Sequence, residues 1–468
     1  MAELPDRVVG DARTSDFGWN LLTDLTDIGN RMAGSTGERR GAERVVEAFE
    51  AAGLRNAGLD EFEIPGWWRG ESSLSVSGPV ERRHENSHEV IALPGTPSGE
   101  VSAPLVDVGD GTDEEFAEAG EDLDGAVAMA SSRTPESHDR WIHRMEKYVA
   151  AAERGAVGFV FRNHIEGALP PTGEIGYHNR PGPIPAVGVS KEVGDRLSRL
   201  AEAAEGDRER GGDGSGSGAA AGDRPTVSLD VDCRNEPTTS VNAVAEVGPE
   251  TDEAVYLTAH VDAHDVSDGA NDNGAGSALV AEVGRLLATV EGDLDTRVRL
   301  VTFGSEEIGL WGAYHAAETT PEDEIACVVN LDGACSSRNL RVGTNGFDGM
   351  RSTFEAVAAA FDTPLTVGET ISPHGDQWAF VQEGIPAVMA STTSDQSGRG
   401  WGHTHADTLD KLDSRDLREV ATLVAAAVYR FATGEVGATH RSRESIRDAI
   451  DEGYVEELKT GGRWPYGE

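Results

Sequence analysis

The chain is predicted to fold as an α/β protein, a mostly parallel mixed sheet with helices on both faces, plus an inserted β-rich domain. Three observations predict this. Four apolar runs of buried type, AVYLTA (254–259), VRLVTF (298–303), IACVVN (325–330) and IPAVMA (385–390), alternate with helical patterns, which is the texture of parallel strands covered on both faces. Between about 90 and 200 that texture gives way to short strands around one helix. The stretch AEGDRERGGDGSGSGAAAGDR, within 204–224, is rich in Gly, Ser and charge and lacks apolar periodicity, as expected of a flexible loop.

Residues 17–55 carry apolar side chains at three- and four-residue spacing and read as helical, with Gly53 as a C-cap. EFEIP (61–65) and SSLSVSG (72–78) alternate as half-buried strands do. EVIALP, APLVDVG, GAVAMA, AVGFVF and IPAVGVS supply the short strands of the middle block, around a helix at about 142–154. Beyond TVSLDVDC, where alternation resumes, helices are expected at 275–290, around 350–361 and at 416–432. These textures divide the chain into helical and strand segments at 1–92, a compact β-rich block at 93–203, a loop at 204–224, α/β segments at 225–438 and a charged peripheral tail at 439–468.

The 468 residues include 40 basic and 83 acidic side chains, a formal net charge of −43. A surface this negative repels phosphate backbones and anionic lipid heads, so nucleic acid and membrane surfaces are not expected partners. No apolar run approaches the ~20 residues of a spanning helix, and the N-terminus lacks a basic segment followed by an apolar one. A cytoplasmic protein that uses high salt to screen its own repulsion is expected, a composition that resembles haloarchaeal proteins. Cys233, Cys327 and Cys335 form no C-x-x-C pair and read as small buried hydrophobes.

The residues directly after each apolar run carry the chemistry. The first run leads into His260-Val261-Asp262, the second into Gly304-Ser305-Glu306-Glu307, the third through Leu331 into Asp332. The fourth leads into a Gly/Ser-rich loop ending at His403-Thr404-His405-Ala406-Asp407. Ligands of open α/β sheets bind beyond the carboxyl ends of the strands, so these ends point to one shared site. Asp272 joins them from GANDNGAG, the turn that opens the next helix. With acids at 83 of 468 positions and histidine at 13, the histidines are the more informative. His260, Asp272, Glu307, Asp332 and His403 are two imidazoles and three carboxylates, too many for one tetrahedral zinc. They fit two metals sharing one carboxylate, with zinc or cobalt suiting the mixed donors better than calcium or magnesium. Glu306, beside a ligand, is the candidate general base. Asp262, two residues after His260 on extended chain, could accept the other imidazole N–H. His264, Asp265, Asp268 and His405 read as solvated or supporting neighbours, and Trp311 and Trp378 as packing residues.

At these residues the sequence resembles the co-catalytic dizinc exopeptidases, which include bacterial leucyl aminopeptidases and plasma glutamate carboxypeptidase. The motifs are His260-Val-Asp262, Gly269-Ala-Asn-Asp272-Asn-Gly274, Ser305-Glu306-Glu307-Ile-Gly309, Asn330-Leu-Asp332-Gly333 and His403-Thr-His-Ala-Asp407-Thr408. The resemblance also extends, more loosely, over the N-terminal helices and Trp67-Trp68-Arg69-Gly70. RGAVGFVF (154–161) and IPAVGVS (184–190) resemble a protease-associated domain inserted into the peptidase, which implies one discontinuous peptidase domain, 1–92 with 225–438, interrupted by an insert at 93–203. The resemblance implies the zinc exopeptidase fold and two zinc ions, with cobalt as a substitute. His260 and Asp332 would hold one, Glu307 and His403 the other, and Asp272 would bridge, with Glu306 as base and Asp262 supporting His260. It further implies a cis Asp272–Asn273 peptide, and leaves His405 as the competitor of His403. The function expected is hydrolysis of peptide bonds near the N-terminus of peptides, by an aminopeptidase or dipeptidase, with a homodimer left open. The alternatives are a carboxypeptidase or dipeptidase of the plasma glutamate carboxypeptidase type, in which Arg399 could clamp a terminal carboxylate, a one-zinc glutaminyl cyclase, or a non-catalytic peptide-binding module.

Overall fold

The computed structural model describes residues 3–77, 81–209, 224–393, 401–434 and 437–467. Its strands in chain order are β1 (Arg55–Ser77), β2 (Arg82–His84), β3 (Val90–Ala92), β4 (Gly99–Asp107), β5 (Val127–Ser131), β6 (Gly158–Arg162) and β7 (Ala186–Val189). They continue as β8 (Thr226–Val247), β9 (Ala254–His260), β10 (Arg297–Phe303), β11 (Ile325–Leu331), β12 (Leu340–Gly343), β13 (Leu365–Gly368) and β14 (Ala387–Thr392). Among the described residues they form one hydrogen-bonded system in the order β13-β12-β14-β11-β9-β10-β8-β4-β5-β6-β7-β3, with β1 beside β8 and β2 beside β1.

The four apolar runs are the centre of this sheet. β10, β9, β11 and β14 are mutually parallel neighbours, with Val255 opposite Val298 and Tyr256 opposite Val328. All seven residues of β9 are buried, which is why the run reads as continuously apolar and not alternating. Helices Phe17–Thr26, Thr36–Ala51, Ala275–Ala288 and Ser414–Ala432 pack together beside it, while Trp311–Thr319 and Trp378–Val381 form a separate pair. Parallel strands have their carboxyl ends on one edge, so His260, Asp332, the loop after Phe303 and the loop after Thr392 converge there.

Four expectations are corrected. The segments at 61–65 and 72–77 are one 23-residue strand, because Trp67 to Arg69 stay paired with β8 and the irregularity between them is only a bulge between Arg69 and Ser72; residue 78 lies outside the described residues. β1 and β8 run from the peptidase sheet into the insert: β8 pairs with β10 through 243–247 and with β4 through 226–231. β3 pairs antiparallel with β7 and lies in the insert's sheet, as the reading of EVIALP with the middle block expects, so the boundary at 92 falls too late; β5, β6 and β7 of that sheet are parallel. The helix Lys191–Glu209 runs into the segment read as a loop, and 210–223 lie outside the described residues. The end of the chain is packed, not peripheral. Helices Arg443–Arg447 and Glu452–Thr460 bury Ile446, Ile450 and Leu458, too few apolar residues in short helices to show as a stripe. Glu457 meets Arg140 of the insert at 3.4 Å and His374 at 3.4 Å.

Candidate metal centre

The five side chains with ligand chemistry come together in one crevice. His260 closes β9, Asp332 directly succeeds β11, Glu307 lies four residues beyond β10, and His403 lies on the loop after β14. Asp272 stands between the imidazoles. Its Oδ1 is 3.3 Å from Nε2 of His260 and its Oδ2 is 3.2 Å from Nε2 of His403. Asp332 approaches the same His260 nitrogen at 3.9 Å, and Glu307 approaches Nε2 of His403 at 3.3 Å. Two groups of potential ligands result, His260 with Asp272 and Asp332, and His403 with Glu307 and His264.

The loops carrying these groups are held by buried polar clamps. Asp262 accepts hydrogen bonds from the backbone N–H groups of Glu306 and Glu307 at 3.0 and 3.1 Å. Its carboxylate is 3.4 Å from Nδ1 of His260, but that nitrogen is nearer the Asp262 carbonyl, at 3.1 Å. Asp262 therefore fixes the Ser-Glu-Glu turn as much as the imidazole. Glu38 accepts from the N–H of Ser305 at 2.9 Å and from the hydroxyl of Ser240 at 2.8 Å. The bridging loop is gripped from two sides. Asp407 accepts from the N–H groups of Asn271 and Asp272 at 2.9 and 3.0 Å. Buried Arg31 donates to the carbonyls of Leu25, Val261, Asp268 and Gly269 at 2.8 to 3.0 Å. Gly269 is left-handed (φ 57), and a Cβ there would stand 2.2 Å from Cβ of Ala263, so the turn requires glycine. The Asp272–Asn273 peptide is cis. Ser305 (φ 60) and His403 (φ 56) are non-glycine residues in the same left-handed region, where backbone strain gathers at functional sites.

The insert reaches into the site. The carbonyl of Thr172 lies 3.3 Å from Nδ1 of His403, and the N–H of Thr172 donates to the carbonyl of His403 at 2.9 Å. Arg69 donates to Oγ1 of Thr172 at 3.1 Å and forks onto Asp265 at 2.7 to 3.1 Å.

Negative charge is in excess here. Burial, with the carboxylates of Asp332, Asp272 and Asp262, pushes Glu306 up to about 8 against the pull of His260. Burial and the charge of Asp272 raise Asp407 to about 7. Burial and then neighbouring carboxylates also raise Glu307 and the fully buried Asp376 well above the usual range, and burial and Asp262 raise Glu38 to about 8. Burial opposes the charge of Asp272 too, but the imidazoles of His260 and His403 overcome it and hold this carboxylate well below its ordinary value. Nε2 of His260 and both ring nitrogens of His264 are buried without a hydrogen bond among the described residues. Donor spacings of 3.2–3.3 Å match the ~3.3 Å edge of a tetrahedron whose metal–donor bonds are about 2.0 Å. The donor set, the unpaired buried nitrogens and the excess of carboxylates thus fit bound divalent cations.

Neighbouring residues separate in role. His405 faces the backbone carbonyls of Val266 and Ser87 at 2.7 and 2.8 Å and stands outside both ligand groups. Trp378 is fully buried, and Trp311 stacks on His178 of the insert with ring centroids 4.4 Å apart. Cys327 and Cys335 are buried and Cys233 is half-buried, all as free thiols. Arg399 lies outside the described residues. Sequence reasoning did not single out Arg31, Glu38 or Thr172, and it read His264 as a solvated or supporting neighbour, whereas only 2% of its surface is exposed. The one local signal available was Ser35-Thr-Gly-Glu38, a helix-start signature. It marks the cap (the Ser35 side chain accepts from the N–H of Glu38) but not the reach of the Glu38 carboxylate to Ser305.

Comparison with known proteins points to peptidases. Residues 242–428 match the model of peptidase family M28, and residues 101–197 match the PA domain. The chain is 27% identical over 435 residues to aminopeptidase YwaD of Bacillus subtilis, covering 89% of this chain and 85% of that protein. It is 25% identical over 426 residues to carboxypeptidase Q of Bos taurus, covering 88% and 84%. A solved zinc aminopeptidase from Bacillus subtilis superimposes with a TM-score of 0.68 at 24% identity, over 94% of this chain and 99% of that one, which shows the shared fold. The stretch 242–428, which carries all the ligand-bearing strand ends, is thus similar to peptidase family M28, and the stretch 101–197 ahead of it in the chain is similar to a PA domain.

Proposed function

We propose that the protein is a zinc-dependent exopeptidase with two zinc ions per chain. His260 and Asp332 would hold one ion, Glu307 and His403 the other, and Asp272 would serve both. The observation that carries this reading is Asp272 itself, each of whose carboxylate oxygens stands 3.2–3.3 Å from the Nε2 of a different histidine. When bound, the zinc pair supplies Lewis acidity toward the scissile carbonyl and activates the attacking water. Glu306, partly exposed to the crevice and outside both ligand groups, takes the proton from the attacking water and delivers it to the leaving amine. Asp262 holds Glu306 in place through its backbone N–H, and Thr172 orients His403.

The substrates are peptides, cleaved next to the N-terminal residue. The acidic surroundings support this, since they suit a free α-ammonium group. Glu306→Gln should retain both metals and lose turnover by at least ~10³-fold; turnover like that of the parent would remove Glu306 from the role. Aminoacyl-anilides, free dipeptides and N-blocked dipeptides, assayed side by side in high salt, separate the specificities. Cleavage of N-blocked dipeptides alone would establish a carboxypeptidase instead. Metal analysis is an independent arm: about two zinc per chain supports the peptidase, one the cyclase, and none the binding module. The net charge of −43 supports a salt-accumulating cytoplasm as the working environment, and equal melting midpoints in dilute and multimolar KCl would refute it.

A further inference from the structure

His264 enters the crevice from the loop between β9 and the Asp272 turn. Its Nε2 stands 2.8 Å from Oε2 of Glu307, and its ring meets that of His403 edge-on, with centroids 4.4 Å apart and planes at 76°. The approach to Glu307 is close but lacks the alignment of a hydrogen bond, and both ring nitrogens have no hydrogen-bond partner among the described residues. An imidazole 2% exposed with nothing to bond costs free energy unless a ligand completes it. One ligating atom each from His264, Glu307 and His403 lie within 4.8 Å of one another, the same criterion that His260, Asp272 and Asp332 meet.

We propose that His264 is a third histidine ligand of the centre, binding the cation held by Glu307 and His403. The inference rests on the dizinc reading above. The 2.8 Å separation matches the edge between donors at right angles on bonds of about 2.0 Å, so His264 and Glu307 fit adjacent positions of an expanded coordination shell. With the shared Asp272, four protein groups surround this cation, against three for the cation at His260 and Asp332. The two positions then differ. The His403 position carries one more protein ligand, and the His260 position keeps more room for water and substrate, as catalytic sites do.

The test is a metal titration of the full-length protein, stripped of metal and kept in high salt, using Zn2+ against a chromophoric chelator and, separately, Co2+ followed by its visible absorption. The parent should bind two ions in two distinguishable steps. His264→Ala should weaken one step by at least ~30-fold and leave the other within about threefold, an intact second step serving as the check on folding. The cobalt band of the affected step should intensify as its coordination number falls. His264→Gln keeps a polar side chain of related size and should show the same loss; His405→Ala should leave both steps unchanged. If both steps of His264→Ala and His264→Gln stay within about threefold of the parent with an unchanged cobalt band, His264 is not a ligand and the inference falls. If the parent binds fewer than two ions, the dizinc reading falls, and this inference with it.

Discussion

The two halves of the crevice are built by different parts of the molecule. His260 is the last residue of β9 and Asp332 the first beyond β11, and these strands are hydrogen-bonded parallel neighbours in the buried sheet. Their side chains inherit position from a ladder that is rigid because it is fully packed. Glu307 and His403 sit on loops. Glu307 depends on Asp262 and on the Glu38 clamp at Ser305, while His403 exchanges backbone and side-chain contacts with Thr172 of the insert. One half belongs to the sheet, and the other is shared with the PA domain. The insert therefore packs against the candidate site through Thr172 and is not a free appendage.

The sharpest test of this contrast removes one histidine from each half. His260→Ala and His403→Ala should each lower turnover by at least ~10³-fold, because each leaves carboxylates buried without the partner that binds them to a cation. The variants should differ in the insert. Loss of the His403 ring frees the Thr172 carbonyl, so hydrogen exchange in residues 163–185 should accelerate in His403→Ala and stay at the parental rate in His260→Ala. Equal exchange in the two variants would break the contrast.

The same division explains how much could be read from the sequence. The four parallel strands announced themselves because a strand buried on both faces must be apolar throughout, and a His or Asp directly after such a run has its place fixed by the sheet. His260 and Asp332 were legible for that reason. The convergence of Glu307 and His403 on the same edge was legible because they too follow apolar runs, and that of Asp272 because its Gly-rich turn opens the next helix. Thr172 was not, because its contribution to His403 is a backbone carbonyl and a backbone N–H, which nearly any residue carries. Arg31 was hidden differently: its four acceptors are carbonyls spread from Leu25 to Gly269, a contact set that only the closed fold defines. The packed C-terminal helices were misplaced because composition marks texture, whereas the bond between Glu457 and Arg140 is a tertiary fact.

A milder perturbation addresses the insert's contribution alone. Gly173, next after Thr172, has φ 129, and a Cβ there would stand 2.2 Å from the guanidinium of Arg144. Gly173→Ala must shift the loop or the arginine, and either displaces the carbonyl that faces His403. Groups that orient metal-bound histidines are worth roughly 10–100-fold in affinity or activity. Gly173→Ala should therefore lower turnover and zinc retention by about that factor while leaving the melting midpoint of the sheet domain nearly unchanged. A fall in stability with full zinc retention would mean that Thr172 only packs.

The smallest expected effect lies where insert, peptidase and C-terminal segment meet. His178 stacks on Trp311, and its backbone N–H donates to the carbonyl of Gly461 at 3.2 Å. Burial, aided by Arg463, lowers this imidazole from 6.5 to about 3. Its folded value lies below its unfolded one, so between about pH 3 and 6.5 the unfolded chain binds more protons. The stability that neutral His178 contributes is then complete above about pH 6.5 and is lost as the pH falls, with a slope of at most about 1.4 kcal/mol per pH unit. Many carboxylates titrate over the same range, so the informative quantity is a difference. The gap in unfolding free energy between the parent and His178→Gln should narrow steadily from about pH 6.5 to about pH 4, because the glutamine has no proton to take up. A constant gap would show that the ring is as easily protonated in the folded state as in the unfolded one. The junction would then owe its closure to the Trp311 stack and the ion pair of Glu174 with Arg463, and the insert would remain docked in acid.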